Sequence, residues 1–157
     1  MTPAVRAEVD AVYRAADAAV AAAGPKCEAS GRCCRFAEYG HTLFLSRFEA
    51  DVLLATAPAY AAPVSRAGCP FQVGGLCTAR DERPVGCRVY FCDESYTETG
   101  NAITEAAVAA LKAVADRHGT GWQYAPLHVF LNGAPPRPDA PPASSRVSLS
   151  VVPTDPT

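Results

Sequence analysis

Apolar residues recur at helical spacing in three stretches of this chain. In the first, Val5, Val9, Val12, Ala16, Val20 and Ala23 fall on one stripe. Thr2 stands where a cap is needed, Pro3 suits the first helical position, and Gly24 and Pro25 stop the helix. A second helix begins at Ser46, which with Glu49 makes an S-x-x-E capping box, and runs through Phe48, Val52 and Leu53 until Pro58. The third runs from about Ile103 to His118, with Ile103, Ala107, Leu111 and Val114 on its inner face and Gly119 at its end.

Strand signals are sparse. Leu43, Phe44 and Leu45 read as a short strand, and Tyr124 to Leu131 reads as another, confined by Pro126 to a sheet edge or to the strand's beginning. From Ala59 to Arg88 the glycines and prolines at 68, 70, 74, 75, 84 and 86 interrupt any period. That stretch reads as loop needing an outside organiser. Beyond Gly133 lie half of the chain's fourteen prolines, among Ser, Ala and Asp. The boundaries are therefore one domain over 1–132 and a Pro-rich disordered tail over 133–157. No internal repeat is evident.

Composition sharpens the need for an organiser. The 157 residues are 49% hydrophobic, but 31 of them are alanine, and Val, Ile, Leu and Phe together also number only 31. One fifth of the chain is near the lower limit for a self-sufficient core. A net charge of −2 excludes a broad electrostatic footprint for nucleic acid. Residues 1–23 carry Glu8, Asp10 and Asp17 among short apolar side chains, unlike a secretory signal, and no stretch has the length of a membrane span. A cytoplasmic, reducing setting is the expectation, in which many cysteines point to metal rather than to disulfides.

There are seven cysteines, in two groups. Cys27, Cys33 and Cys34 form the run C-E-A-S-G-R-C-C; Cys69, Cys77, Cys87 and Cys92 follow after a gap. Thiolates are soft ligands and favour zinc or iron–sulfur clusters over magnesium or calcium. Neither the five-residue gap between Cys27 and Cys33 nor the seven-residue gap between Cys69 and Cys77 matches the paired C-x2-4-C knuckles of zinc fingers, and the C-x2-C step of many iron–sulfur sites is missing. Spacing therefore indicates a thiolate metal site and leaves the metal open. Seven thiolates exceed the four of one tetrahedral zinc or one ordinary cluster, which allows either a two-metal arrangement with bridging sulfurs or a four-cysteine site beside a three-ligand one. The expected fold is mainly α with little β: a small cysteine-rich, metal-organised domain with long irregular loops between helices.

The order C-x5-C-C, then a short apolar run and helix, then C-P-F with a second cysteine, then E-R-P-x-x-C-R, resembles the YkgJ family of cysteine-cluster proteins, described as a zinc- or iron-chelating domain. The likeness covers about Cys27 to Cys92, including Pro70, Arg83, Pro84 and Arg88. It implies Cys27, Cys33, Cys34, Cys69, Cys77 and Cys87 as metal ligands, with Cys92 an additional ligand of the kind found in some members. It also implies metal chelation, with an iron–sulfur cluster preferred to zinc.

Arg32, Arg35, Arg80, Arg83 and Arg88 lie near the cysteines in sequence and would offset collected thiolate charge. Alternatively, Arg83 and Arg88 present guanidinium forks to a carboxylate or phosphate. His41, His118 and His128, the three histidines, read as ordinary surface or half-buried imidazoles, and Trp122 and the tyrosines as core or cover. Three functions follow: an iron–sulfur protein with a redox-related role, a zinc-stabilised non-catalytic interaction module, and a metal-dependent enzyme with an open coordination position. The sequence names no protein or small-molecule partner.

Overall fold

A computed structural model describes residues 1–135. About half of them lie in five α-helices, with two small antiparallel sheets: α1 Pro3–Ala23, β1 Phe44–Ser46, α2 Arg47–Thr56, β2 Gln72–Val73, β3 Leu76–Cys77, α3 Val85–Val89, α4 Thr97–His118, β4 Tyr124–Pro126 and α5 Leu127–Gly133. The chain is mainly α with little β, as its periodicity indicates. No described helix is long and apolar enough to cross a membrane. The boundary expected after 132 falls at the end of α5, and the tail from 136 onward lies outside the described residues.

α1 is bounded as its caps require. Thr2 accepts the Val5 N–H at 3.3 Å, and Gly24 takes the left-handed conformation that ends the helix. Val5, Val9 and Ala16 are buried as expected, Val12 and Val20 are half-covered, and Tyr13 joins the buried face. α1 packs on α4 and on α3, forming a first core with Phe48, Val85, Val89, Leu111 and Val114. α4 begins six residues before the expected Ile103, because a 3-10 turn at Glu94–Tyr96 leads into it. The Asp93 side chain accepts the Ser95 N–H at 3.1 Å and starts that turn.

A second core holds Phe36, Leu43, Leu45, Leu53, Tyr60, Phe71, Leu127 and Leu131. Here β1 pairs with β4, Phe44 opposite Pro126 and Ser46 opposite Tyr124. The strand expected over Tyr124 to Leu131 stops at Pro126 and continues as helix α5. Pro126 has no N–H to give a ladder, and the following apolar run places Leu127 and Leu131 four apart, so both are buried on one helical face.

The segment expected to be loop from 59 to 88 contains two ordered pieces. Gly74 and Gly75, at φ 58° and 82°, turn a two-residue hairpin between β2 and β3. Both central residues of such a turn need positive φ, which only glycine adopts without strain. α3 then runs along the seam between the cores: Val85 and Val89 face the first, and Cys87, midway between them, packs against the second. Its first turn has no side-chain cap of its own. Glu49 of α2 supplies one from a distance: its Oε1 accepts the Val85 N–H at 2.8 Å, while Oε2 accepts the N–H and hydroxyl of Ser46 at 2.7 and 2.8 Å. Glu49 is fully buried, and burial raises its pKa.

Candidate metal centre

The two cysteine groups, separated by more than thirty residues, meet in space. The Cys69 N–H donates to the Cys34 carbonyl at 2.8 Å, tying the segments together by their backbones. Cys33 and Cys34 ride on a 3-10 turn, Arg32–Cys34, that starts from Gly31 at φ 70°. Gly31 lies hard against the hairpin: its carbonyl accepts from Gln72 Nε2 at 2.9 Å, and a Cβ there would stand 2.7 Å from the Gly75 carbonyl oxygen. Positive φ and close approach together make Gly31→Val costly by about 2 to 3 kcal/mol. Chemical denaturation should show that loss, and an unchanged midpoint would mean the two segments do not need this contact.

All seven cysteines, none of them in a disulfide, line one cavity of about 210 Å³. Cys34 is its hub. It is buried, its thiol interacts with those of Cys33, Cys69 and Cys77, and the Cys33 and Cys34 sulfurs are 4.0 Å apart. Hydrogen bonding to Cys34 lowers Cys33 and Cys77 to about 6 and lowers Cys69, while Cys34 itself is raised because it keeps the proton they share. Neighbouring thiols cannot all ionise independently, so the four titrate as a group. The Arg83 guanidinium adds to the lowering at Cys33 and Cys77, and Arg80 at Cys77.

Local backbone helps as well. The Cys69 sulfur accepts from the Phe71 N–H and the Cys77 sulfur from the Ala79 N–H, in each case the amide two residues on. An amide aimed at sulfur stabilises the thiolate, the form that ligates metal. Cys87 looks onto the same cavity and is raised by burial and then by the charges of Cys69, Cys33 and Cys77. Cys27 is exposed and Cys92 half-buried. With Glu28, Leu76, Arg80 and Tyr90, also exposed, Cys27 makes the cavity's rim.

One observation stands apart from this convergence. Among the described residues, no group of three or more His, Cys, Asp or Glu side chains is arranged, as it stands, to hold a metal ion. The thiols share a cavity and interact through Cys34, but they form no ready metal site.

Of the two arginines singled out, Arg83 lines the cavity and donates to the carbonyls of Arg80 and Cys87. Arg88 turns elsewhere: it bonds Asp17 at 2.7 Å, reaches the carbonyls of Arg83 and Asp81, and lies over the Tyr13 ring. It is not among the lining residues. Arg32 and Arg80 line the cavity alongside Arg83. His41 approaches the Cys33 carbonyl through Nε2 at 3.4 Å and stacks on Tyr90, so it buttresses the turn rather than facing a sulfur. His118 pairs with Glu8, far along the chain, and Glu82 pairs with Arg6. The cap from Glu49 to α3 escaped sequence reasoning because its S-x-x-E pattern is satisfied locally, and no pattern marks the second carboxylate oxygen as reaching residue 85.

Compared with family models, with curated proteins and with solved structures, the chain finds no match.

Proposed function

We propose that this protein holds a metal centre through its cysteine cluster, an iron–sulfur cluster in preference to zinc, in a redox-related role. Cys33, Cys34, Cys69, Cys77 and Cys87 are the donors in this reading. The observation that carries it is the meeting of sulfurs from both cysteine groups in one cavity around Cys34. The chemistry of the donors fits: thiolates with lowered pKa, amide hydrogen bonds to two of them, and guanidinium groups at hand to balance their charge. Ligation requires the sulfurs to turn inward, since none of them now forms a ready site. Each turn is a step between staggered rotamers about one Cα–Cβ bond.

Preference for a cluster rests on space and number. The cavity's 210 Å³ is an order of magnitude more than a single water requires. Five inward thiols also exceed one mononuclear site, and the resemblance to the YkgJ family points the same way. Bound there, an iron–sulfur cluster would supply one-electron transfer. The chain's own part is to keep the thiols ionised, to balance their charge through Arg80 and Arg83, and to shield the hub sulfur from water.

A zinc-stabilised module is the second reading, favoured by one distance. The 4.0 Å between the Cys33 and Cys34 sulfurs is close to the roughly 3.8 Å edge of a tetrahedron with Zn–S near 2.3 Å. Purification without oxygen separates the two. The first reading expects brown protein with iron and acid-labile sulfide in near-equal amounts; colourless protein carrying only zinc would replace it with the second.

A further inference from the structure

The thiols around the cavity divide into two sets. Cys33, Cys34, Cys69 and Cys77 are linked through Cys34, with Cys87 facing them. Cys27 and Cys92 belong to neither part of that arrangement, yet both border the same cavity. Two contacts hold their segments together. The Lys26 N–H donates to Asp93 Oδ2 at 3.2 Å, and Ser30 Oγ lies 3.6 Å from Cys92 Sγ.

The residue before Cys27 is thus tied to the residue after Cys92, while the Cys92 sulfur touches a residue three beyond Cys27. Cys92 is bracketed by the loop that carries Cys27. A disulfide needs Cα atoms about 4.4 to 6.8 Å apart, a span that segments so bracketed can meet. The stretch from 24 to 31 contains neither helix nor strand, so closing the sulfurs disturbs no regular element. Cys27 is exposed and open to attack from solvent, whereas Cys92 is half-covered.

We infer that Cys27 and Cys92 form a thiol–disulfide exchange site at the cavity mouth, whose substrate is a small-molecule disulfide. The Cys27 thiolate attacks one sulfur of the substrate, the substrate's S–S bond breaks, and the first leaving thiolate takes up a proton. Cys92 then attacks the Cys27 sulfur of the mixed disulfide, and the second substrate thiol departs. Two protein thiols are oxidised to one disulfide and one substrate disulfide is reduced to two thiols, so electrons and protons balance. The site does not rest on a bound metal, because neither residue is among the donors proposed above. Closing the pair would draw the 24–31 loop across the rim.

Oxidised glutathione is the probe, applied to the full chain after reduction, with remaining thiols counted under denaturing conditions and cross-links mapped by peptide mass spectrometry. Wild type should lose two thiols and yield a Cys27–Cys92 peptide pair. Cys92→Ser should retain one glutathione on Cys27, and Cys27→Ser should react about tenfold more slowly, as expected for losing the exposed attacking thiol. A cross-link within Cys33, Cys34, Cys69, Cys77 and Cys87, or a stable glutathione on wild-type Cys27, overturns the inference. Metal content is measured on the same samples. Cys27→Ser with reduced metal makes Cys27 a ligand and likewise overturns the inference, whereas metal-free wild type that still forms the Cys27–Cys92 bond rejects the metal reading alone.

Discussion

Replacing Cys34 with serine is expected to remove metal and lower the melting temperature together. Serine has nearly the same shape but offers a hard hydroxyl oxygen that stays protonated, so it is a poor ligand for iron or zinc. The Cys34 sulfur lies 4.0 Å from that of Cys33 and interacts with the thiols of Cys69 and Cys77, so its loss reaches both cysteine groups at once. Metal binding in small thiolate domains contributes on the order of 10 kcal/mol to folding. Losing even a third of that corresponds to about 10 °C in a chain of this size. Metal per chain should fall to about a tenth of wild type or less, because a site short of one thiolate no longer fills its coordination. Stripped of metal with a chelator, wild type and variant should melt within about 3 °C of each other, because the substitution itself removes little packing. Elemental analysis and thermal melts read both results; full metal in the variant would remove Cys34 from the donor set.

Glu49→Ala is expected to have the second largest effect, although Glu49 touches no cysteine. Its carboxylate accepts from the N–H groups of Val85 and Ser46 and from the Ser46 hydroxyl, all in the buried seam between α2 and α3. Truncation leaves two buried amides without partners, at about 1 to 3 kcal/mol each. A melting loss on the order of 10 °C follows. Glu49→Gln keeps the bond to Val85 but turns an N–H toward Ser46, so its loss should be smaller.

The pH dependence carries a definite sign. Burial raises the folded pKa of Glu49 above the ordinary glutamate value of 4.5. Its stabilising contribution is therefore fully present below pH 4.5 and is lost as pH rises through the folded value. The stability advantage of wild type over Glu49→Gln should shrink across that window and then level off. Denaturation of both proteins over a pH series tests this; an advantage that grows with pH would mean burial is outweighed by the hydrogen bonds.

Local signals carried much of the architecture. The caps of α1 and α2 and the inner face of α4 are written in short-range patterns, and the structure follows them. Errors arose where the deciding contact is remote or a period is short. The run after Pro126 is apolar without a clear period, and only the packing of Leu127 and Leu131 into the second core selects a helix. The start of α4 carries no periodic signal, because its first two turns hold polar residues, with Gly100 packed against the Tyr96 ring rather than showing an apolar stripe. The Gly74–Gly75 turn was visible as a pair of breakers, but its hairpin is only two residues deep on each side.

The sequence singles out the cysteines as a set and says nothing of their geometry. All seven line one cavity, yet nothing in their spacing distinguishes Cys34, which is buried, from Cys27 on the rim. Likewise, Arg83 and Arg88 are five apart and look equivalent in sequence. Arg83, in the turn before α3, lines the cavity, whereas Arg88, in the last turn of α3, reaches Asp17 of α1 with its side chain over Tyr13.

X-ray absorption at the edge of whatever metal accompanies anaerobically purified protein tests the central claim most directly. The account predicts a first shell made of sulfur, about four atoms at roughly 2.3 Å from each metal, that is lost alike from Cys34→Ser and Cys69→Ser, one variant from each cysteine group. A shell of nitrogen and oxygen, or protein that holds no metal and melts unchanged in a chelator, would contradict it.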